Sequence, residues 1–373
     1  MKKRITALVL ALVMCVGLAV PAVASENADS GVRVFQHTFD ENSEEVNNIR
    51  NIVTYTNECQ NKNCKIGSAL VVYNLDTDAV FYLVPVLSGQ ECIGIVQMST
   101  DLDVGISWTS DTTLYDKVFD LPEGDYILYV TGGVFYAESS NEIVLLQDMG
   151  FSMPSKDDYL NVSYEEKKEA FLSQAEEIST LSNCILQNKN GDADTENGYT
   201  LLPYGVEPIQ ECEYCDIKNF VSQNGPFCWA ACIATIVNYK KDINLSAKDV
   251  ARKIGIYGGA SLDETRIALN SYGFSYYSTW DKMSWASVKN NIKNKYPFII
   301  GLEMYDEDAN LCRHMVTGYA YMCDNGDPNE ASDRRYIQFW DPLSSTKQSF
   351  QYNKAANVLM DGYIWNWSAS IFW

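Results

Sequence analysis

Cys228 to Tyr239 (CWAACIATIVNY) is apolar nearly all the way round a helical wheel. A helix without a polar face has to be covered on every side, so the chain around it must build a core that encloses it. Three shorter helices are predicted next. Ser246 with Asp249 and Ser261 with Glu264 have capping-box spacing, Gly273 is a helix stop, and Trp285, Val288 and Ile292 recur helically until Pro297. Four strands then follow, over Phe298 to Met304, Met315 to Tyr321, Tyr336 to Trp340 and Gly362 to Trp367. A run of helices followed by a run of strands predicts an α+β fold with a helical lobe and then an antiparallel β lobe.

The N-terminal half reads differently. Short runs rich in Val, Ile, Tyr and Leu (Ser68 to Tyr73, Val80 to Val86, Ile93 to Met98, Tyr126 to Val130, Ile143 to Leu146) alternate with turn signals such as Pro122-Glu123-Gly124-Asp125 and Gly132-Gly133. They predict an antiparallel β-rich domain over residues 25–160. His37 stands before this sheet and reads as a surface residue. A helix is predicted beyond it, capped by Ser163 with Glu166 and carrying Phe171, Ala175, Ile178 and Ile185 on one face. The polar run Gln187 to Thr200 completes a connecting segment, residues 161–205, that is expected to be exposed and open to nicking. The remaining domain is 206–373.

Residues 1–24 begin basic (Lys2, Lys3, Arg4), continue apolar from Ile5 to Val20 and end on Ala22-Val23-Ala24, the pattern of a secretory signal peptide. The apolar run is short for a membrane span, and Met14 before Cys15 disfavours a lipid anchor. The expected product is secreted and extracellular, with no membrane anchor. Losing the leader takes the formal net charge from −21 to about −24, which disfavours nucleic acid and anionic lipid as partners.

Ten cysteines then remain of eleven. Cys59 with Cys64 is the pair best placed for a disulfide. Cys212-x-x-Cys215 has zinc-knuckle or redox spacing, but no second pair or spare histidine stands beside it. Cys312 and Cys323 are candidates to complete such a site or to pair across the hairpin that carries His314. No metal or cofactor is expected.

The chemistry concentrates in four residues. Cys228 sits where the buried helix begins, so unpaired N–H groups and the positive end of the helix dipole favour its thiolate. His314 is one of only two histidines and stands at the head of a predicted strand. Asp341, at the end of a later strand, can orient the imidazole, and Gln223 offers an amide donor upstream of the thiol. Each residue alone is ordinary: buried cysteine is common, Cys232 one turn on reads as packing, and Asp341-Pro342 is a turn. Their order within one helix-then-strand half sets them apart.

That order, Gln223, Cys228-Trp229, His314-Met315-Val316 and Trp340-Asp341-Pro342, resembles the papain-like cysteine peptidases over roughly residues 205–373. It is most similar to their compact bacterial branches: staphopains, streptopain, type III effector peptidases and the leader-cleaving peptidases of bacteriocin exporters. Papain spaces its glutamine and cysteine one residue further apart and orients its histidine with Asn; the exporter-associated peptidases use Asp, as here. The resemblance implies a two-lobe fold and a secreted endopeptidase with Cys228 as nucleophile, His314 as base, Asp341 as its orienting partner and Gln223 in the oxyanion hole. Its partner would be a protein or peptide substrate, and the β-rich domain would serve as intramolecular inhibitor or folding aid of a zymogen. The alternatives are a Cys-His-Asp acyltransferase or amidase, and a non-catalytic exported binding protein.

Overall fold

Branched and aromatic side chains suit strands covered on both faces, and the N-terminal half uses them that way. The computed structural model describes residues 32–40, 43–54, 64–89, 91–99, 104–150, 162–175, 180–183, 199–200, 211–305, 311–323, 335–352 and 356–373. Strand Ala69–Asn74 is buried along its whole length and Ala79–Ser88 everywhere but its ends. Alternation along each strand then sorts side chains between two cores. Leu70, Val72, Phe81, Leu83, Leu128 and Val130 enter one, while Val71, Tyr73, Val80, Tyr82, Ile127 and Tyr129 enter the other.

Helix Glu44–Thr54 covers the second core with Val46, Ile49, Ile52 and Val53. No helix is predicted there, although the spacing of Val46, Ile49, Ile52 and Val53 is helical. Helix Tyr164–Ala175 adds Phe171, and its Ser163–Glu166 capping box forms.

Three expectations change here. The sheet is antiparallel-rich but not purely antiparallel, because Val32–Val34 and Val72–Asn74 both run parallel to strand Gly124–Thr131. The long connections before that strand leave room for the crossover that a parallel pair needs. The helix over Phe171 ends at Ala175, and Thr180–Asn183 is instead a strand on Arg33–Gln36. Ile178, Ile185 and residues 187–198 lie outside the described residues, whereas Tyr199–Thr200 pairs with Lys65–Ile66. His37 ends a strand, its ring stacked on Tyr82 at 5.1 Å and edge-on to Phe39 at 4.5 Å, so it is a sheet residue rather than a free surface one.

The first core continues past residue 205. Val358, Leu359, Met360, Tyr363, Trp365 and Trp367 share it with Phe81, Leu83 and Phe135. Strand Ser107–Thr109 pairs with Gln348–Phe350, which extends one hydrogen-bonded sheet system across both halves. From Val32 onward the described residues form one compact unit.

In the C-terminal half, helix Cys228–Lys241 is buried from Trp229 to Asn238. Helices Ala247–Ile254 and Leu262–Asn270 cover it on one side, and Ile299, Ala369 and Ile371 of the sheet on the other. Both predicted capping boxes are made. The strands that matter for the site are Phe298–Tyr305, Leu311–Cys323, Arg335–Asp341 and Tyr363–Phe372. Leu311–Cys323 lies between the first two of its neighbours, Phe298–Tyr305 and Arg335–Asp341. Gly318 lets it approach closely, since a Cβ there would stand 2.5 Å from the Phe298 ring. With seven helices among the described residues and this sheet, the class is α+β.

Candidate active site

A buried helix must satisfy the polar groups it carries inward, and here that requirement ties the surrounding loops to it. Thr235 Oγ1 accepts from the Val221 N–H at 3.0 Å. Asn238 bonds both backbone groups of Leu245, at 2.7 and 2.9 Å. Val221 in turn accepts from Trp340 Nε1 at 3.1 Å, and the Gln223 N–H donates to the Pro342 carbonyl at 2.8 Å. The Val221–Gln223 segment therefore bridges the helix and the end of the Asp341 strand. At the helix start, Phe227 gives no side-chain cap, which leaves first-turn N–H groups beside Cys228, and Trp229 Nε1 anchors the turn to the Gly258 carbonyl at 2.8 Å.

His314 lies in register with Leu302, three residues inside its strand rather than at its head. Its Nε2 is 2.7 Å from Asp341 Oδ1, with both side chains buried. Since Nε2 is taken, the other ring nitrogen, Nδ1, is the one left to meet the Cys228 thiol, whose ionisation His314 favours. Asp341 is itself held. Its Oδ1 also accepts from the Leu343 N–H at 2.9 Å, and its Oδ2 accepts from Ser344 Oγ at 2.7 Å and from the Ser344 N–H at 3.4 Å.

The electrostatics follow from this chain of contacts. Burial works against the Cys228 thiolate, but the hydrogen bond and positive charge of His314 outweigh it and hold the thiol below its ordinary value. Burial likewise opposes the imidazolium, yet the Asp341 charge, followed by its hydrogen bond and that of Cys228, raises His314 to about 10. Burial would raise Asp341, and the His314 charge, with the bonds from His314, Leu343 and Ser344, lowers it. The three shifts act in one sense, favouring thiolate, imidazolium and carboxylate together.

Residues 215–369 match the Peptidase_C39 like family. The match supports assigning this part of the chain to the papain-like cysteine peptidase superfamily. No curated protein matches the chain. The family match points to a cysteine peptidase, and the matched region contains all four residues singled out by sequence.

Three of the four, Cys228, His314 and Asp341, stand in one line of contacts. Gln223 is nearby through its backbone, but its amide is turned locally: Nε2 donates to the Gly225 carbonyl at 3.2 Å, and Oε1 has no hydrogen-bond partner among the described residues. A primary amide has a second N–H, so one donor is still available for an oxyanion.

The remaining cysteines separate. Cys232 is fully buried with its thiol on the Met315 carbonyl at 3.4 Å, and burial raises it well above the ordinary value. Cys312 and Cys323 occupy opposite ends of one strand, roughly 36 Å apart at about 3.3 Å per residue, so they cannot pair across a hairpin. Cys212 is exposed on strand Glu211–Tyr214 while Cys215 is buried beyond it, and among the described residues no three His, Cys, Asp or Glu side chains converge as a metal site. Cys59 lies outside the described residues, and with it the Cys59–Cys64 pairing. No described helix is long and apolar enough to cross a membrane.

Sequence reasoning missed three participants of the peptidase region. Ser344 holds Asp341, and its signal was an Asp followed three residues later by Ser in a turn. Trp365 places its ring 6.1 Å from that of His314. Asp361, in an Asp-Gly hairpin signal, reaches the same neighbourhood.

Proposed function

We propose that this chain is a secreted endopeptidase that cleaves protein or peptide substrates through a thioester on Cys228. The observation that carries the reading is the continuous line from a helix-start thiol, through a buried imidazole, to a carboxylate 2.7 Å from its far nitrogen. In it the helices from Cys228 to Lys293 form one lobe and the strands carrying His314 and Asp341 the other, with the substrate entering between them.

The Cys228 thiolate attacks the scissile carbonyl carbon. The Cys228 N–H and the Gln223 amide hold the oxyanion, each donor worth roughly 3–4 kcal/mol in well-studied hydrolases. His314 imidazolium gives its Nδ1 proton to the leaving amine as the C–N bond breaks, then takes a proton from the water that opens the thioester. Asp341 keeps the ring in place and charged, and Ser344 keeps Asp341 aimed.

The sequence reading offers the N-terminal half as a propeptide cut away between Gln187 and Gly205. Release would have to part the Ser107–Thr109 pairing and split the shared core, so we read a cut there as leaving the halves together.

The test is hydrolysis of fluorescently labelled casein by purified wild type, Cys228→Ala and His314→Ala. Since nucleophile and base act as a unit, both variants should lose essentially all activity while remaining folded, His314→Ala with a lower melting transition because Asp341 loses its buried partner. Full activity in Cys228→Ala refutes the proposal.

A further inference from the structure

The hairpin joining Asn357–Met360 to Tyr363–Phe372 turns on Asp361 and Gly362, both at positive φ (55° and 80°), as a two-residue turn of this kind requires. Such turns usually stand in water. This one is buried, with Asp361 only 6% exposed.

What buries it is the N-terminal half. Asn74 Nδ2 donates to the Gly362 carbonyl at 2.7 Å, and the Gly362 N–H donates to Gln97 Oε1 at 3.1 Å. The Tyr363 hydroxyl donates to Asp76 at 2.6 Å and accepts from the Gly133 N–H at 2.9 Å. Ser107 Oγ donates to the Leu359 carbonyl. Phe81, Phe135 and Val130 would stand 3.0 to 3.2 Å from any Cβ on residue 362, so the turn is gripped with no room for a side chain there.

On its other side Asp361 lines a cavity together with Ser344, the residue that bonds Asp341. Asp361 feels the charges of Asp341 and His314, and Trp365, four residues on, lies against the His314 ring. From the N-terminal half it meets the Asp111 charge and the Gln97 amide, while Asp76 reaches the adjacent Tyr363.

We infer that the N-terminal half is a permanent part of the active site, and that through its grip on this turn Asp361 acts as a positioning residue for the His314–Asp341 pair. The inference rests on the thiol–imidazole reading above. Asp361 lines one cavity with Ser344, whose hydroxyl holds Asp341, so two buried carboxyls lie in the neighbourhood of one imidazole, and their hydrogen bonds decide which carries the charge. Asp341 accepts from His314, Leu343 and Ser344, whereas Asp361 has Gln97. The proton therefore stays on Asp361. Burial and the Asp341 charge keep it there up to about 8, with the His314 charge and the Gln97 bond opposing. A neutral carboxyl fills this space without competing for the imidazolium, and its ionisation adds a second charge beside His314.

Two histidines in the chain make the test direct, since ¹⁵N-histidine gives two imidazole sets and His37→Gln assigns them. In full-length protein the His314 signals should show a second inflection near pH 8. Asp361→Asn, a residue equally tolerant of positive φ, should remove that inflection. Gln97→Ala should move it to higher pH, because the Gln97 hydrogen bond favours the ionised carboxyl. Curves from both variants that superpose on wild type overturn the inference and leave the thiol–imidazole reading standing; a wild-type His314 that titrates as an ordinary histidine overturns that reading itself. A protease site inserted within 187–198 gives an independent check. The cut halves should co-elute and hydrolyse labelled casein at the wild-type rate, and a C-terminal piece that elutes alone with full activity overturns the inference.

Discussion

Replacing Asp341 by Asn separates the two things this residue does, holding the imidazole and charging it. Asn can keep an oxygen where Oδ1 accepts from His314 Nε2 at 2.7 Å and from Leu343 at 2.9 Å. Its Nδ2 then takes the place of Oδ2, where the Ser344 hydroxyl can rotate to accept instead of donating, and only the long 3.4 Å bond from the Ser344 N–H is lost. Geometry survives, and the charge goes. A hydrogen bond to a charged group contributes roughly 1.5–3 kcal/mol, and at about 1.4 kcal/mol per pH unit its loss lowers the imidazolium by about one to two units. In wild type His314 is raised, so its imidazolium is fully present below the ordinary histidine value and is lost as pH rises through about 10. The alkaline limb of kcat/KM against pH, which reports this proton in the free enzyme, should therefore begin to fall about one to two units earlier in Asp341→Asn, with a modest change near pH 6. Asp341→Ala should be far worse at every pH, because it leaves a buried imidazolium with no partner. An alkaline limb that stays in place in Asp341→Asn would refute the view that the Asp341 charge sustains the imidazolium.

Cys228 should be alkylated by iodoacetamide rapidly at mildly acidic pH, since its thiol is held below the ordinary value; a rate that rises only above neutral, as for a model thiol, would mean there is no ion pair. Asp361 is raised in the folded chain, so wild type loses stability as pH climbs from the ordinary carboxyl range through about 8, and Asp361→Asn should escape that loss. Melting curves at pH 4 and pH 9 check this: the two proteins should melt alike at the lower pH and the variant higher at the upper. Gly318→Ala should destabilise the fold by about 1–3 kcal/mol in urea titrations, because its Cβ would stand 2.5 Å from the Phe298 ring inside a packed core.

The sequence by itself determined the elements whose causes are local. The all-apolar run from Cys228, the Ser246–Asp249 and Ser261–Glu264 boxes and the apolar runs of the N-terminal sheet depend on neighbours within a turn or a strand, and they formed. It also singled out the four residues of the candidate site, because a thiol at a helix start and a rare histidine are visible as residue types in order. Tertiary structure decided what depends on distance in space. Short strands such as Ser107–Thr109 and Thr346–Gln351 show little period of their own, and they exist because Glu91–Ser99 and Arg335–Asp341 pair with them, as they do with each other. His314 meets Asp341 across 27 residues, and Asp361 lies beside them only because the N-terminal sheet, more than two hundred residues earlier, closes over its turn. Pairing and burial of that kind are properties of the packed chain, since the charge on each carboxyl is set by which neighbours the fold brings within a few ångströms.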